Sequence, residues 1–125
     1  DFMKLPFEPE SFDAAYAIEA TCHAPDRVAC YEQVFKVLKP GAHFALYEWC
    51  MTDSYDPENP EHQRLKKDIE IGNGLPDICD RKACLKALRD AGFEILRESD
   101  LKDVEDVVHG AAPGPQVGIE GVEFA

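Results

Sequence analysis

A short apolar run that ends in a dense polar cluster places the strongest constraint on the fold of this chain. Residues 12–18 have the length and apolar content that predict a buried strand. An acid, a hydroxyl, a thiol and an imidazole follow within five residues, at Glu19, Thr21, Cys22 and His23. A helical pattern then begins at Asp26. Because open α/β sheets bind their ligands between the carboxyl end of a strand and the next helix, we expect a small-molecule site here.

A helix and a second strand follow the polar cluster. Apolar side chains repeat with the helical period after Asp26, at Val28, Tyr31, Val34, Phe35 and Leu38. Pro40-Gly41 predicts the end of this helix, and residues 43–49 predict a strand. A strand, a helix and a strand in direct succession form a crossover unit with parallel strands. We therefore expect the ends of residues 14–18 and 44–48 to lie side by side and to face one cavity.

The remaining sequence predicts smaller elements around this unit. A mostly polar helix is expected at roughly 61–71, after a polar loop. A second helix is expected at 81–91 with Asp80 as its N-cap, and a half-exposed strand from Phe93 onward. The chain is then acidic and later rich in Gly and Pro, so that no element is predicted over 103–125.

Composition and cysteine spacing exclude several classes of partner and site. The net charge is −12, with 25 acidic against 13 basic residues, so no nucleic acid partner is expected. No apolar run approaches the roughly 20 residues of a membrane-spanning helix. The five cysteines include no Cys-x-x-Cys pair, which favours a reduced compartment and argues against a metal site. On the predicted helices, Cys30 and Cys84 are expected to be small buried residues.

Several segments of the chain resemble one enzyme family. They are residues 1–7, 18–25 (Ile-Glu-Ala-Thr-Cys-His-Ala-Pro), 37–41, and 47–49 together with 51–56 and 59–62. Over residues 1 to about 101 the chain resembles the sterol 24-C-methyltransferases. The resemblance implies an α/β fold, namely the C-terminal half of a doubly wound, Rossmann-like methyltransferase sheet. It also implies S-adenosylmethionine as the cofactor and transfer of its methyl group to C-24 of a sterol side chain.

The resemblance also divides the chain. Residues 1–101 would form the C-terminal part of a methyltransferase domain, and residues 102–125 a partly disordered tail or the start of the family's C-terminal region. The family's cofactor loop would lie upstream of Asp1, and the sequence contains no Gly-x-Gly-x-x-Gly motif. We therefore expect a C-terminal fragment that is poorly stable and inactive alone. The implied sterol substrate suggests peripheral membrane association, at the cytoplasmic side of the endoplasmic reticulum or at lipid droplets. A homo-oligomer is a further possibility.

Candidate site residues come from the two strand ends and from the resemblance. Methylation of a sterol alkene generates a carbocation, which carboxylates and aromatic faces stabilise and which a base deprotonates. The resemblance implies that Asp1 accepts a hydrogen bond from the adenine amino group and that the backbone of Phe2 contacts the ring. The expected sets are catalytic Glu19, His23 and Glu48; cofactor-binding Asp1, Phe2, Ile18 and Glu19; and substrate-binding Tyr16, Tyr47 and Trp49.

Alternatives stay open for individual residues and for the whole chain. His23 is equally well explained as a group that caps the next helix or hydrogen-bonds to a carbonyl. Tyr47 and Trp49 are strand aromatics, which usually pack in a core, and alternation places Glu48 on the opposite face. The chain could also be another small-molecule or lipid methyltransferase that uses S-adenosylmethionine, or an acidic interaction module without catalysis.

Overall fold

A computed structural model describes residues 1–100 and, as a backbone strand, residues 119–124. A single 3-10 turn, Thr21–His23, lies between the first strand and the first helix. The helices and strands are β1 (Phe12–Ile18), α1 (Arg27–Val37), β2 (Leu38–Trp49), α2 (Pro60–Asn73), α3 (Arg81–Asp90), β3 (Ile95–Asp100) and β4 (Ile119–Phe124).

The described strands form one mixed sheet in the order β1-β2-β4-β3. β1 and β2 are parallel, with Ile18 opposite Tyr47, so the predicted crossover unit is confirmed. β2 starts earlier than the sequence indicated, because Leu38 already pairs with Phe12. The register then shifts before His43, and Gly41 within this irregularity has a φ of 77°. A positive φ of this size is one that glycine adopts without steric cost.

β4 is an element that the sequence analysis missed. It lies between β2 and β3 and is antiparallel to both. Its six residues contain Gly121, which weakens the alternation that would have predicted a strand. The predicted acidic tail and its partial disorder fall mostly on residues 101–118, which lie outside the described residues.

The core lies on one face of the sheet, under α1 and α3. Tyr31, Phe44 and Leu88 are fully buried there, and the ring centroids of Phe44 and Phe93 are 5.4 Å apart. The predicted burial of Cys30 and Cys84 is confirmed. These contacts fix α1 and α3 against β2 and thereby set the position of the chain segment that follows β1.

The face of β1 that points away from the core corrects one expectation. The sequence predicted a buried strand, but Tyr16 is 78% exposed and Ile18 is 62% exposed, whereas Ala15 and Ala17 pack against the core. The reason is that Tyr16 and Ile18 lie, by strand alternation, on the face of the sheet opposite the core, where the paired Ala45 is exposed as well. No described helix is both long and apolar enough to cross a membrane.

The predicted N-cap of α3 is confirmed, and it supports a stability prediction. The Asp80 carboxylate accepts a hydrogen bond of 2.7 Å from the backbone N–H of Ala83. Asp80→Ala should lower the free energy of unfolding by about 1 kcal/mol, because it leaves a helix-terminal N–H without this acceptor. Urea denaturation measures the change. Asp90→Ala is the matched control at the other end of α3, where loss of a negative charge should cost little.

Candidate active site

The segment after β1 is held by one buried carboxylate. Glu48 is only 4% exposed. Its Oε1 atom accepts hydrogen bonds from the backbone N–H of Ala20 (3.2 Å) and from the backbone N–H and hydroxyl of Thr21 (both 2.7 Å). Its Oε2 atom accepts a bond of 2.9 Å from the N–H of Cys22. Four donors on three consecutive residues therefore converge on one side chain of β2, which fixes the loop against the strand.

The geometry around Glu48 favours a positioning role over the catalytic role that we expected from the sequence. A carboxylate that accepts four hydrogen bonds from its own protein is already satisfied. It also lies on the buried face of β2 with Phe44 and Leu46, as strand alternation predicts. Its contribution to catalysis stays a prediction, now through the loop that it holds.

A chain of hydrogen bonds extends this anchor into α1 and α3. The Thr21 hydroxyl donates to Glu48, so the Tyr31 hydroxyl, 3.2 Å from Thr21 Oγ1, must be the donor in that pair. Burial is the main cause that raises the pKa of Tyr31, which keeps its hydroxyl protonated. The Cys84 thiol lies 3.5 Å from the Tyr31 oxygen and completes the chain. Sequence analysis assigned Tyr31 only an apolar core position, because its spacing carried no sign of the buried hydroxyl contact.

Glu19 has an unusual backbone conformation at the end of β1. Its φ is 48°, in the left-handed region that non-glycine residues rarely occupy. Its N–H donates to the carbonyl of Tyr47 at 2.7 Å, which holds this turn beside β2. The side chain is exposed, and its charge contributes, after burial, to a raised pKa of Tyr47. Glu19 and Tyr47 are thus neighbours at the shared end of the parallel strands.

His23 is exposed and is oriented by a backbone carbonyl. Its Nδ1 atom lies 3.3 Å from the carbonyl oxygen of Gly74, just after α2. Since a carbonyl can only accept, Nδ1 bears the hydrogen in this contact and the neutral ring presents Nε2 as an acceptor. The carbonyl contact that we raised as an alternative is therefore present, and it leaves one ring nitrogen available as a base.

A mostly apolar groove of about 530 Å³ runs along β1. It brings together Phe2, Tyr16 and Ile18, which we expected at the cofactor and substrate sites. In the described part of the chain, Tyr47 and Trp49 do not line this groove. Trp49 instead packs against a small buried cluster of Cys22, Leu75 and Ile78. The aromatic groups expected to bind substrate are thus divided between a groove and a core.

Asp1 lies exposed beside the start of this groove. Its Oδ1 atom accepts a hydrogen bond of 2.8 Å from the N–H of Met3. The adjacent Phe2 is 36% exposed and lines the groove. A carboxylate acceptor next to an apolar wall is the combination that an adenine amino edge and ring face require.

Comparison with known proteins shows which proteins this chain is similar to. A family described as a methyltransferase domain matches residues 1–46. The chain is 63% identical over 101 residues to the cycloartenol-C-24-methyltransferase of Arabidopsis thaliana, covering 81% of this chain and 30% of that protein. It is 51% identical over 108 residues to the sterol 24-C-methyltransferase of Saccharomyces cerevisiae, covering 86% and 28%. The chain is homologous to the sterol 24-C-methyltransferases.

The matched relatives are longer than this chain. The chain spans about 30% of the length of the curated relatives that it matches. Solved structures support the fold alone: the geranyl diphosphate C-methyltransferase of Streptomyces coelicolor A3(2) has a TM-score of 0.74 at 14% identity, and the cyclase SpnF has 0.69 at 20%. These structures cover 99% of this chain and 51% and 53% of their own chains. The expected α/β methyltransferase fold is confirmed, and activity has to be argued from the site.

Proposed function

We propose that this protein transfers a methyl group from S-adenosylmethionine to C-24 of a sterol side chain. The observation that supports this most is the position of residues 18–25. This segment, which resembles the sterol methyltransferase signature, lies at the end of β1 beside the end of the parallel β2, where α/β sheets bind ligands. The high identity to two sterol-methylating relatives points to the same substrate class.

The described residues fit the adenosine half of the cofactor. Phe2 and Ile18 line an apolar groove, and the exposed Asp1 carboxylate next to it can accept from an amino group. In this proposal the cofactor supplies an electrophilic methyl group. Residues 1–101 act as the C-terminal part of the methyltransferase domain that binds it, and residues 102–125 follow that domain.

Stabilisation of positive charge is the task that we assign to the strand ends. Attack of the sterol alkene on the methyl group leaves a carbocation, which requires a nearby negative charge and aromatic faces. The Glu19 carboxylate and the ring of Tyr47 are neighbours at this end of the sheet, and Tyr16 lies on the open face of β1. Together they provide the electrostatic part of the site.

Removal of a proton completes the reaction and needs a base. His23 presents a free acceptor nitrogen because Gly74 holds the other one. We assign the deprotonation to His23 and the support of the loop to Glu48 and Trp49. The water-insoluble substrate further leads us to propose peripheral association with the cytoplasmic side of the endoplasmic reticulum or with lipid droplets.

The proposed activity predicts a specific substrate dependence. The full-length protein should transfer label from methyl-labelled S-adenosylmethionine to a sterol with a double bond at C-24. The same sterol with a saturated side chain should stay unlabelled, because only the alkene can attack the methyl group. Chromatography with mass spectrometry measures the products. Labelling of a shorter prenyl lipid in preference to the sterol would contradict the proposed substrate class and favour the alternative methyltransferase.

A further inference from the structure

Three cysteines from separate parts of the sequence meet at the far end of the hydrogen-bond chain that begins at Glu48. The Sγ atoms of Cys50, Cys79 and Cys84 all lie within 4.8 Å of one another. Cys50 directly follows β2, Cys79 precedes α3 and Cys84 lies in the first turns of α3. The sequence argued against a metal site because it contains no Cys-x-x-Cys pair. Cys50 is 29 residues from Cys79, and only the fold brings the two together.

Backbone contacts hold the three cysteines in place. The N–H of Met51 donates to the carbonyl of Cys79 at 2.9 Å, and Met51 forms a parallel bridge with Asp80. The N–H of Cys84 donates to the carbonyl of Asp80 at 3.1 Å, in the first turn of α3. The cluster therefore rests on a hydrogen-bonded frame and not on mobile loop side chains.

We propose that Cys50, Cys79 and Cys84 form a three-thiolate site for a soft divalent cation of the zinc class. Zinc–sulfur bonds of about 2.3 Å in tetrahedral geometry place the sulfur atoms about 3.8 Å apart, so that a small inward movement completes the site. A disulfide would use two of the sulfur atoms and leave the third without a function. A cation uses all three.

The charge around the cluster favours a divalent over a monovalent cation. Three thiolates around a divalent cation carry a net charge of minus one, which one basic group can offset. Arg27 is the basic group near Cys79 and Cys84, and its guanidinium also lies 3.8 Å from the Asp77 carboxylate. Its side chain is 16% exposed. A monovalent copper ion would leave an uncompensated charge in this partly buried position.

The cluster is open to solvent on one side. Thiolate is the form that binds metal. Cys50 and Cys79 are half-buried while Cys84 is buried, so that solvent can supply the fourth ligand on the open side.

Cadmium is a suitable probe because its thiolate complexes absorb in the ultraviolet. Titration of reduced, metal-free full-length protein with Cd²⁺, under anaerobic conditions, should give a sulfur-to-metal charge-transfer band that saturates at one equivalent. Prior addition of excess Zn²⁺ should compete for the site and lower the apparent affinity for Cd²⁺. Each of Cys50→Ser, Cys79→Ser and Cys84→Ser should weaken binding by at least ~100-fold, more than the loss of an outer-shell partner. Cys30→Ala is the matched control, since Cys30 is buried but lies outside the cluster.

Three outcomes would overturn the proposal. The first is an absence of the charge-transfer band in the wild-type protein, which does not depend on whether any variant folds. The second is equal binding by wild type and all three serine variants, which would place the cation elsewhere. The third is formation of a disulfide between two of these cysteines on mild oxidation with a disulfide reagent, together with no cation binding in the reduced state. That combination would identify a redox pair.

Discussion

Replacing Glu48 with glutamine should lower the free energy of unfolding by about 3 kcal/mol, which makes it the largest expected stability effect. The carboxylate accepts four hydrogen bonds from Ala20, Thr21 and Cys22. An amide has one acceptor oxygen, so in either orientation its NH₂ group faces at least one buried donor of the loop. An unsatisfied buried donor costs about 1–3 kcal/mol, and more when a charged acceptor is lost. Urea denaturation monitored by circular dichroism measures the change.

Glu32→Gln is the matched control for this substitution. Glu32 is exposed on α1, so the same chemical change there should alter the free energy of unfolding by less than ~0.5 kcal/mol. Because Glu48 also positions the loop that bears His23, the folded fraction of Glu48→Gln should lose methyl transfer by about 100-fold. An unfolding curve identical to that of the wild type would show that the loop does not depend on this carboxylate.

Replacing Glu19 with glutamine should lower the turnover of methyl transfer by about 100- to 1000-fold, with little change in cofactor affinity. The substitution keeps the shape of the side chain and removes the negative charge that we assign to the carbocation. Loss of one preorganised electrostatic group typically has an effect of this size. Turnover is measured in the full-length protein with the labelled-methyl assay, and cofactor affinity by calorimetry with S-adenosylhomocysteine. Equal turnover in both proteins would remove Glu19 from the catalytic set.

A glycine at the same position separates the backbone role of Glu19 from its charge. Its φ of 48° is strained for any residue with a side chain, so Glu19→Gly should raise the free energy of unfolding by roughly 0.5–1 kcal/mol while turnover falls. Glu10 offers a matched control, because it also has a positive φ, of 54°, but lies before β1 and does not line the apolar groove. Glu10→Gly should gain similar stability and keep full turnover. A loss of turnover in Glu10→Gly would point to a general effect of backbone flexibility.

The crossover unit could be predicted from the sequence because each of its signals is local. Apolar runs, the helical period after Asp26 and the Pro40-Gly41 break all act within a few residues of the element that they define. The antiparallel β4 could not be predicted, since a short strand with an internal glycine gains its stability from long-range pairing with β2 and β3. The exposure of Tyr16 depends in the same way on distant residues, because it is set by what covers its face of the sheet.

The polar residues of the candidate site could be recognised in the sequence, but their hydrogen-bond partners could not. The acid, hydroxyl and imidazole after β1 stand together in the sequence, so Glu19, Thr21 and His23 could be singled out as a polar cluster. The contacts that define their roles come from residues more than 20 positions away, such as Glu48 and Gly74. A contact between distant residues leaves no period or spacing in the chain, which is also why the three cysteines were judged separately.

The hydrogen bonds from Cys84 through Tyr31 and Thr21 to Glu48 all donate in one direction, toward the Glu48 carboxylate. Each hydroxyl has a single hydrogen, so the one anion at the end of the chain orients every donor before it. A second anion at the opposite end, such as a deprotonated Cys84, would compete with Thr21 for the hydrogen of Tyr31. The charge state of the Cys84 sulfur atom would then affect, through these hydrogen bonds, the loop that follows β1.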